Sequence, residues 1–463
     1  MMNFDLIVIG SGPGGYVAAI RAAQLRMNVA VIEKSDLGGI CLNWGCIPTK
    51  ALLKSAQIYN FLKHSEDYGV TCSDFNADFE KIIARSRNVA ATMNKGIEFL
   101  FKKNNVNIIN GIAKLKDKNS VAVTKDDGSE EIVTASKIIL ATGARSKDIP
   151  AFKQDHKFII GYKDALSLQT LPESMVVIGS GAIGTELAFF YKSLGTDVTL
   201  IEFLPEIVPL EDEEISKQLA RSFKKIGMKI MTGTAVNKVE IIDDKCVVNY
   251  SDKKGENKIT CDIVLSAVGI TTNLENLGLE ALNIRVEGGK VVVDDCYQTN
   301  VAGIYAIGDI VKGPALAHVA SAEAICCVEN IAGLNPEKVD YNNIPSCVYT
   351  TPEIASVGLT EKEVKEQNID YKVGKFSFMA SGKATAAGNK DGFVKLLFDT
   401  HSDELLGAHI IGDNIAEMIS EMVVLKKLGG HAKDLIKAIH PHPSLSEAIM
   451  EAAANAHGEA VHC

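Results

Sequence analysis

Apolar residues fall along this chain in two rhythms. Short β-branched runs that glycine ends abruptly predict buried strands, and longer alanine-rich stretches with helical spacing predict helices. Phe4 to Ile9 is the first such run. It meets Gly10-Ser11-Gly12-Pro13-Gly14-Gly15, and a helical stretch, Tyr16 to Leu25, follows. A second strand, Asn28 to Ile32, ends at Glu33. The whole pattern returns later as the strand Met175 to Ile178, the turn Gly179 to Gly184, the helix Thr185 to Leu194 and the strand Asp197 to Ile201, which ends at Glu202. In both copies the acidic residue stands 18 positions after the third glycine of the turn, 15 to 33 and 184 to 202.

A G-x-G-x-x-G turn on its own is a weak signal. Two copies, each with strand, helix and acidic residue in register, predict two βαβ nucleotide-binding folds. The glycines allow a tight turn and close backbone approach to a pyrophosphate, which the helix N-terminus receives. Glu33 and Glu202 are placed to accept hydrogen bonds from a ribose diol. Further strands, Lys137 to Ala141, Ile263 to Val268 and Ile304 to Ile307, run into Thr142-Gly143, Gly269 and Gly308-Asp309.

From about Tyr341 the pattern changes. Strands are expected at Cys347 to Tyr349, Tyr371 to Phe378, Gly392 to Phe398 and Leu405 to Ile411, and helices at Ala416 to Leu428, Ala432 to Ile439 and Leu445 to Ala456. No glycine fingerprint recurs, so this region reads as an α+β domain of the sort that packs against a partner. The expected fold class is α/β: two Rossmann-like dinucleotide-binding domains and a C-terminal α+β interface domain. The expected boundaries are 1–145 and 273–340 for the first nucleotide-binding domain, 146–272 for the second and 341–463 for the interface domain.

Composition narrows this little. The chain has 463 residues, 46% hydrophobic and 23% charged, as in an ordinary globular protein. Its net charge of −10 argues against a nucleic-acid or anionic-membrane surface. No run of some 18 apolar residues predicts a membrane span, and the N-terminus lacks the basic and apolar regions of a signal peptide. The 10 cysteines mostly stand alone rather than forming a secreted disulfide framework, so a reducing, cytoplasmic setting is expected.

Two stretches carry chemistry. In Gly38-Gly39-Ile40-Cys41-Leu42-Asn43-Trp44-Gly45-Cys46-Ile47-Pro48-Thr49-Lys50, two thiols stand five positions apart. A regular helix holds such residues too far apart for a disulfide, so the segment must bend, and Gly45 and Pro48 allow a bend near a helix start. A redox-active dithiol, a structural disulfide and half of a metal site all fit this pair, although no second pair completes a four-ligand zinc site. The second stretch is His440-Pro441-His442-Pro443-Ser444-Leu445-Ser446-Glu447. Its two prolines stiffen a loop bearing two imidazoles, and Glu447 stands five residues beyond His442, across a helix start expected at Ser444. A carboxylate on one ring nitrogen fixes the tautomer and strengthens the other nitrogen as a base. A His-Pro pair that merely caps a helix is the structural alternative.

In order, these motifs are GxGxxG, GGxCxNxGCxPxK, ATG, a second GxGxxG, AxGD and HxHPxxxE. Over nearly the whole length the chain resembles the flavin-dependent disulfide reductases, most closely the dihydrolipoyl dehydrogenase branch. The resemblance implies that FAD is held by Gly10, Gly12, Gly15 and Glu33, with Lys50 near the reactive flavin nitrogen. It implies backbone contacts to FAD from Ala113 and Gly143, Asp309 on the ribityl chain, and Ala315, Leu316, Ala317 and His318 over the flavin edge. NAD is implied at Gly179, Gly181, Gly184, Glu186, Glu202, Val236 and Gly269. Cys46 is implied to face the flavin as the charge-transfer thiolate, Cys41 to exchange with substrate, and His442, oriented by Glu447, to be the acid–base catalyst. The family's disulfide reductases are homodimers in which this histidine crosses from the other subunit. Ile270 stands where many members carry arginine, Pro441 and Ser444 replace alanine and threonine, and Trp44 replaces a smaller apolar residue. None of these departures removes a catalytic group.

The implied reaction is oxidation of a dithiol with reduction of NAD. Glu202 favours NAD over NADP, because its charge repels a 2′-phosphate and no arginine or lysine follows in Phe203 to Leu210. That weighs against a glutathione-type reductase. A mercuric reductase would carry a further cysteine pair near the C-terminus, where Cys463 stands alone, and a transhydrogenase of this fold would lack Cys41 and Cys46. An inactive flavoprotein scaffold is the reading from another class, and retention of both cysteines, His442 and Glu447 opposes it. With no lipoyl domain ahead of Met1, the expected substrate is a lipoyl group on another protein, either the acyltransferase of a 2-oxo acid dehydrogenase complex or the carrier protein of glycine cleavage.

Overall fold

The runs that read as continuously apolar are strands buried on both faces, as parallel strands between helices must be. A computed structural model describes residues 2–462. By its internal contacts the chain forms two units. One comprises residues up to Ala51, Glu80–Lys147 and Gly269–Val339; the other comprises Leu52–Phe79, Asp148–Val268 and the chain from Asp340 onward.

In the first unit, β1 (Met2–Ile9), α1 (Pro13–Gln24) and β2 (Val29–Glu33) make the opening βαβ. They are followed by α2 (Gly39–Trp44), α3 (Cys46–Lys63), α4 (Phe79–Lys103), β3 (Asn107–Asn110), β4 (Ile112–Leu115), β5 (Ser120–Thr124) and β6 (Glu130–Leu140). The sheet order is β3-β2-β1-β6-β5-β4, and the strand Ile304–Ala306 also pairs with β6. β1 runs parallel to β2 and β6, with Ile9 opposite both Ile32 and Leu140. Alternation along β1 divides the core. Leu6 and Val8 pack with Ala18, Ala19, Ala22, Ile97 and Phe101. Ile7 and Ile9 pack with Leu115, Val121, Val123 and Leu140 on the other face.

The second unit holds three sheets. A parallel sheet runs in the order Lys229–Met231, Asp197–Ile201, Ser174–Ile178, Ile263–Ser266, Ile159–Ile160. Between its strands Lys229–Met231 and Ile263–Ser266 in sequence, Ala235–Ile242, Lys245–Asp252 and Gly255–Cys261 form an antiparallel meander. The C-terminal region is a five-stranded antiparallel sheet ordered Ser346–Val348, Glu353–Gly358, Leu405–Gly412, Phe393–Asp399, Tyr371–Ser377. The helix Glu447–Ala456 packs its buried Ala448, Ile449, Ala452 and Ala453 with the core of that sheet.

Of the boundaries that differ from expectation, three bear on the candidate site. The helices after the glycine turns begin at Pro13 and Ala182, three residues ahead of Tyr16 and Thr185, so the third glycine of each turn is already helical. The last helix begins at Glu447 rather than Ser444, because the Ser444 N–H turns to the Glu447 carboxylate instead of opening a helix.

Candidate active site

The two glycine turns are the same device built twice. In the first, Gly10 has φ +100°, and a Cβ on Gly15 would lie 1.9 Å from the Gly10 carbonyl oxygen. In the second, Gly179 has φ +96°, and a Cβ on Gly184 would lie 2.0 Å from the Gly179 carbonyl oxygen. The first and third glycines therefore serve close packing inside the turn. The middle one faces outward. A Cβ on Gly181 would meet nothing within 4 Å, and one on Gly12 only the Gly39 Cα at 4.0 Å. Gly12 and Gly181 are also the N-caps of their helices, and neither carries a side-chain cap. Helix N–H groups that no side chain covers, beside a backbone open to close approach, fit a pyrophosphate in both folds.

The acidic residues match as closely. Glu33 Oε2 accepts from the Ser11 N–H at 2.9 Å and hydroxyl at 2.7 Å. Glu202 Oε2 accepts from the Ser180 N–H at 2.9 Å and hydroxyl at 2.6 Å. Each carboxylate thus braces its glycine turn. The other oxygen of Glu33 accepts from the Lys34 and Ser35 N–H groups, and that of Glu202 from Leu204 N–H. A carboxylate offers about four acceptor sites, so bracing the turn is compatible with a ribose contact.

The cysteine segment is fastened to the first turn. A Cβ on Gly39 would lie 2.6 Å from the Gly12 Cα, so the two backbones touch there as only glycines can. The Gly38 N–H donates to the Ser11 carbonyl at 3.1 Å and hydroxyl at 3.2 Å. Cys41 lies in α2, the helix breaks at Gly45, and Cys46 is the first residue of α3, with Pro48 two positions on. Thr49 closes the new helix by donating N–H and hydroxyl to the Gly45 carbonyl at 3.0 and 2.7 Å. The break is what lets sulfurs five positions apart meet.

The pair is present as thiols, and Cys41 is hydrogen-bonded to Cys46. The Cys41 thiol is pushed far above the usual thiol range, first by that hydrogen bond, then by burial and by negative charge on Cys46, against the opposing pull of Lys50. Cys46 opens an 18-residue helix, whose positive end favours a thiolate at that sulfur. Cys46 is exposed and Cys41 half-buried in the protein chain itself. An exposed sulfur at a helix start, in a segment fastened to the first glycine turn, fits a sulfur that a cofactor covers.

In the second unit the two histidines separate by environment. The His440 side chain is largely covered, with Nε2 on Glu421 at 2.9 Å and Nδ1 on the Ala438 carbonyl at 3.2 Å. His442 is 81% exposed, and its Nδ1 donates to Glu447 Oε1 at 2.9 Å. Because a carboxylate accepts only, that bond leaves Nε2 as the free base. Glu447 is held below the usual carboxylate range by the Ser444 N–H, and next by His442. Both nitrogens of His440 have protein partners, while His442 presents one to the outside.

The remaining expected contacts are spread over both units. Gly143 (φ +65°) and Gly269 (φ +111°) face open space, and both belong to the first unit. Ala113 is buried in β4 opposite Val123. Burial raises the Asp309 carboxyl against the pull of Lys290, whose ammonium bonds the Asp309 carbonyl. Ala315 and His318 are exposed, with Leu316 and Ala317 half-buried, around the start of the helix Ala317–Ile331. In the second unit Glu186 is buried and accepts from the Tyr349 N–H at 3.0 Å. Val236 stands half-buried opposite Tyr250 beside an irregularity in the meander. Among the described residues no three acidic, histidine or cysteine side chains gather as a metal-binding group, and no helix is long and apolar enough to cross a membrane.

Sequence reasoning missed α4. Its buried positions Ile83, Ser86, Ala90, Ile97 and Phe101 keep helical spacing, but serine and alanine thin the apolar stripe. From it, Arg87, Asn94, Ser86 and Arg85 reach the backbone around the cysteines.

Comparison with known proteins gives one consistent picture. Residues 4–324 match the family model described as pyridine nucleotide-disulphide oxidoreductase, and residues 344–453 match the dimerisation domain of that family. A dihydrolipoyl dehydrogenase of Rhizobium etli is 46% identical over 98% of each chain. One of Zymomonas mobilis is 44% identical over 99% of each. The crystal structure of LpdA from Mycobacterium tuberculosis superposes with a TM-score of 0.90 at 25% identity, over 98% of this chain and 99% of that one.

Proposed function

The chain belongs to the dihydrolipoyl dehydrogenases of the pyridine nucleotide-disulphide oxidoreductase family, and from that premise we propose how its residues oxidise a dihydrolipoyl group with reduction of NAD. The observation that carries the reading is the hydrogen-bonded Cys41–Cys46 pair, split by the Gly45 break and fastened through Gly39 to the outward-facing Gly12.

In the oxidised enzyme the two cysteines form a disulfide. His442 Nε2 takes the proton of one substrate thiol, and Glu447 steadies the resulting imidazolium. The substrate sulfur attacks Cys41 Sγ; the Cys41–Cys46 bond breaks, and its electron pair goes to Cys46. The second substrate thiol gives its proton to the departing Cys41 sulfur as it attacks the first substrate sulfur, which closes the lipoyl ring and releases Cys41 as a thiol. Cys41 and Cys46 are left reduced, with the charge on Cys46, where its helix position favours it. When bound between the dithiol and NAD, FAD supplies the two-electron relay that joins sulfur chemistry to hydride chemistry.

Gly10, Gly12, Gly15 and Glu33 hold that flavin nucleotide, with Lys50, Ala113, Gly143, Asp309 and the Ala315 to His318 stretch around it. Gly179, Gly181, Gly184, Glu186, Glu202, Val236 and Gly269 serve the nicotinamide nucleotide. The chain carries the family's dimerisation domain. In the homodimer this implies, His442 reaches the cysteines of the other subunit. The lipoyl group arrives on the acyltransferase of a 2-oxo acid dehydrogenase complex or on a glycine-cleavage carrier protein, in the cytoplasm.

The test is NAD reduction by dihydrolipoamide, run beside reduction of oxidised glutathione by NADPH. Turnover of the first and not the second supports the reading. Glutathione turnover with NADPH, or failure with dihydrolipoamide, overturns it.

A further inference from the structure

The Gly45 break, on which the meeting of the two sulfurs depends, has no stiffness of its own. Glycine is the most permissive backbone residue, so whatever holds this hinge must come from outside it. Thr49 anchors the Gly45 carbonyl, the Asn43 side chain the Leu37 and Gly39 carbonyls, and helix α4 adds a further hold. Asn94 Nδ2 donates to the Leu37 carbonyl at 2.9 Å, ahead of the cysteines. Ser86 Oγ donates to the Pro48 carbonyl at 2.9 Å and Arg85 Nη1 to the Ala51 carbonyl at 2.8 Å, both beyond them. Of these α4 donors, Arg87 is the one that touches the stretch between the two cysteines. Its Nη1 donates to the Asn43 carbonyl at 2.6 Å, and its guanidinium carbon lies 3.9 Å from the centroid of the Trp44 ring. Asn43 and Trp44 are the two residues immediately before the break. Burial lowers the Arg87 pKa and Asp36 opposes that fall, and a guanidinium stays charged at such a site.

We propose that Arg87 is a positioning residue for the dithiol: by clamping Asn43 and Trp44 it fixes the hinge at Gly45 and so sets the equilibrium between the Cys41–Cys46 dithiol and its disulfide. A disulfide demands a narrow range of Cβ separation and dihedral angle. A held hinge keeps the reduced sulfurs near that geometry, and a loose one spreads them over many conformations, which lowers the effective concentration of one thiol at the other. The clamp needs a planar group that stacks and donates in one orientation. Arginine does both at once, and lysine does not. Trp44 is the ring that makes the stack possible.

The inference rests on Cys41 and Cys46 being the redox pair, and the experiment separates the two claims. Wild type, Arg87→Ala, Arg87→Lys and Trp44→Leu are equilibrated in glutathione buffers, quenched by alkylation, and scored by peptide mass at Cys41 and Cys46. The reaction read is Cys41–SH plus Cys46–SH plus oxidised glutathione giving the protein disulfide and two reduced glutathiones, so both protons and both electrons go to glutathione sulfur. Arg87→Ala is expected to move the equilibrium toward the dithiol about tenfold, or about 30 mV less negative. Arg87→Lys and Trp44→Leu, milder and safer for folding, are expected to move it the same way about threefold. Equilibria within twofold of wild type in the folded variants, even with a lower melting temperature, make Arg87 merely structural and overturn the proposal. A wild type in which these two cysteines never pair overturns instead the redox assignment beneath it.

Discussion

Replacing Gly12 with alanine separates cofactor binding from folding, because the middle and third glycines of the same turn answer differently. Gly12 has φ −63° and ψ −177°, a backbone open to any L residue. The added methyl meets only the Gly39 Cα at 4.0 Å. Gly12→Ala is therefore expected to leave the stability of the cofactor-free protein within about 0.5 kcal/mol. Gly15→Ala places its methyl 1.9 Å from one backbone oxygen and 2.8 Å from its carbon, where about 3.5 Å is needed, so α1 must retreat from β1 at a cost of about 1–3 kcal/mol. The order reverses for FAD. The Gly12 methyl occupies the space from which a pyrophosphate meets the helix N–H groups, and each hydrogen bond to a charged group is worth about 1.5–3 kcal/mol. Losing one weakens FAD binding about 10–150-fold. Urea unfolding of the deflavinated protein and fluorescence titration with FAD measure the two effects separately. Gly181→Ala should leave FAD affinity unchanged and weaken NAD. Wild-type FAD affinity in Gly12→Ala, or unfolding of that variant to the extent of Gly15→Ala, refutes the reasoning.

Glu447→Gln should lower kcat/KM for dihydrolipoamide about 100-fold, since the carboxylate no longer orients the His442 ring through Nδ1; an unchanged kcat/KM contradicts the pairing. Because the Glu447 pKa is depressed, its contribution is complete above the ordinary glutamate value of about 4.3 and fades only as pH falls through the lower folded value. Lys395 is buried among Asp212 at 2.9 Å, Glu214 at 3.0 Å and Glu361 at 2.6 Å, so Lys395→Met should cost about 3–5 kcal/mol in urea unfolding. Burial opposes ionisation of Glu361, yet hydrogen bonds from Lys365, Lys395 and Tyr371 bring its pKa down to about 2. The difference between wild type and Lys395→Met should therefore shrink as pH falls from about 4.3 toward 2, and a constant difference contradicts the ion cluster. Glu202→Gln should reduce the preference for NAD over NADP, as the ratio of kcat/KM values, about tenfold or more; an unchanged ratio assigns Glu202 to bracing Ser180 alone.

What the sequence shows and what it hides divide along a physical line. The glycine turns, the bend between Cys41 and Cys46, and the His442–Glu447 pair are short-range: each is fixed by residue types a few positions apart, and the geometry follows from turn and helix chemistry. The grip of α4 is not of this kind. Arg87 meets Asn43 across 44 positions and Asn94 meets Leu37 across 57, by side-chain bonds to backbone carbonyls that any residue could offer. The meander strand Gly255–Cys261 is almost wholly exposed, so it shows no apolar alternation to read. Lys395 sits within an apolar strand as an apparent solvent-facing lysine; only the fold brings three carboxylates to it. Two classes were foreseeable with one more step. A third glycine whose Cβ would strike the first implies that the helix starts inside the turn. A helical spacing that admits small residues would have found Phe79–Lys103.

The proposed mechanism divides the work between two sulfurs, Cys41 for substrate and Cys46 for the flavin side, in a chain where Cys46 is the more exposed. The direct test treats the FAD-loaded Cys46→Ser and Cys41→Ser proteins with lipoamide, traps the opened ring with excess maleimide, and locates the adduct by peptide mass. An adduct on Cys41 in the first protein and none on Cys46 in the second is the predicted result. An adduct on Cys46 in Cys41→Ser, formed as fast as the other, contradicts the assignment.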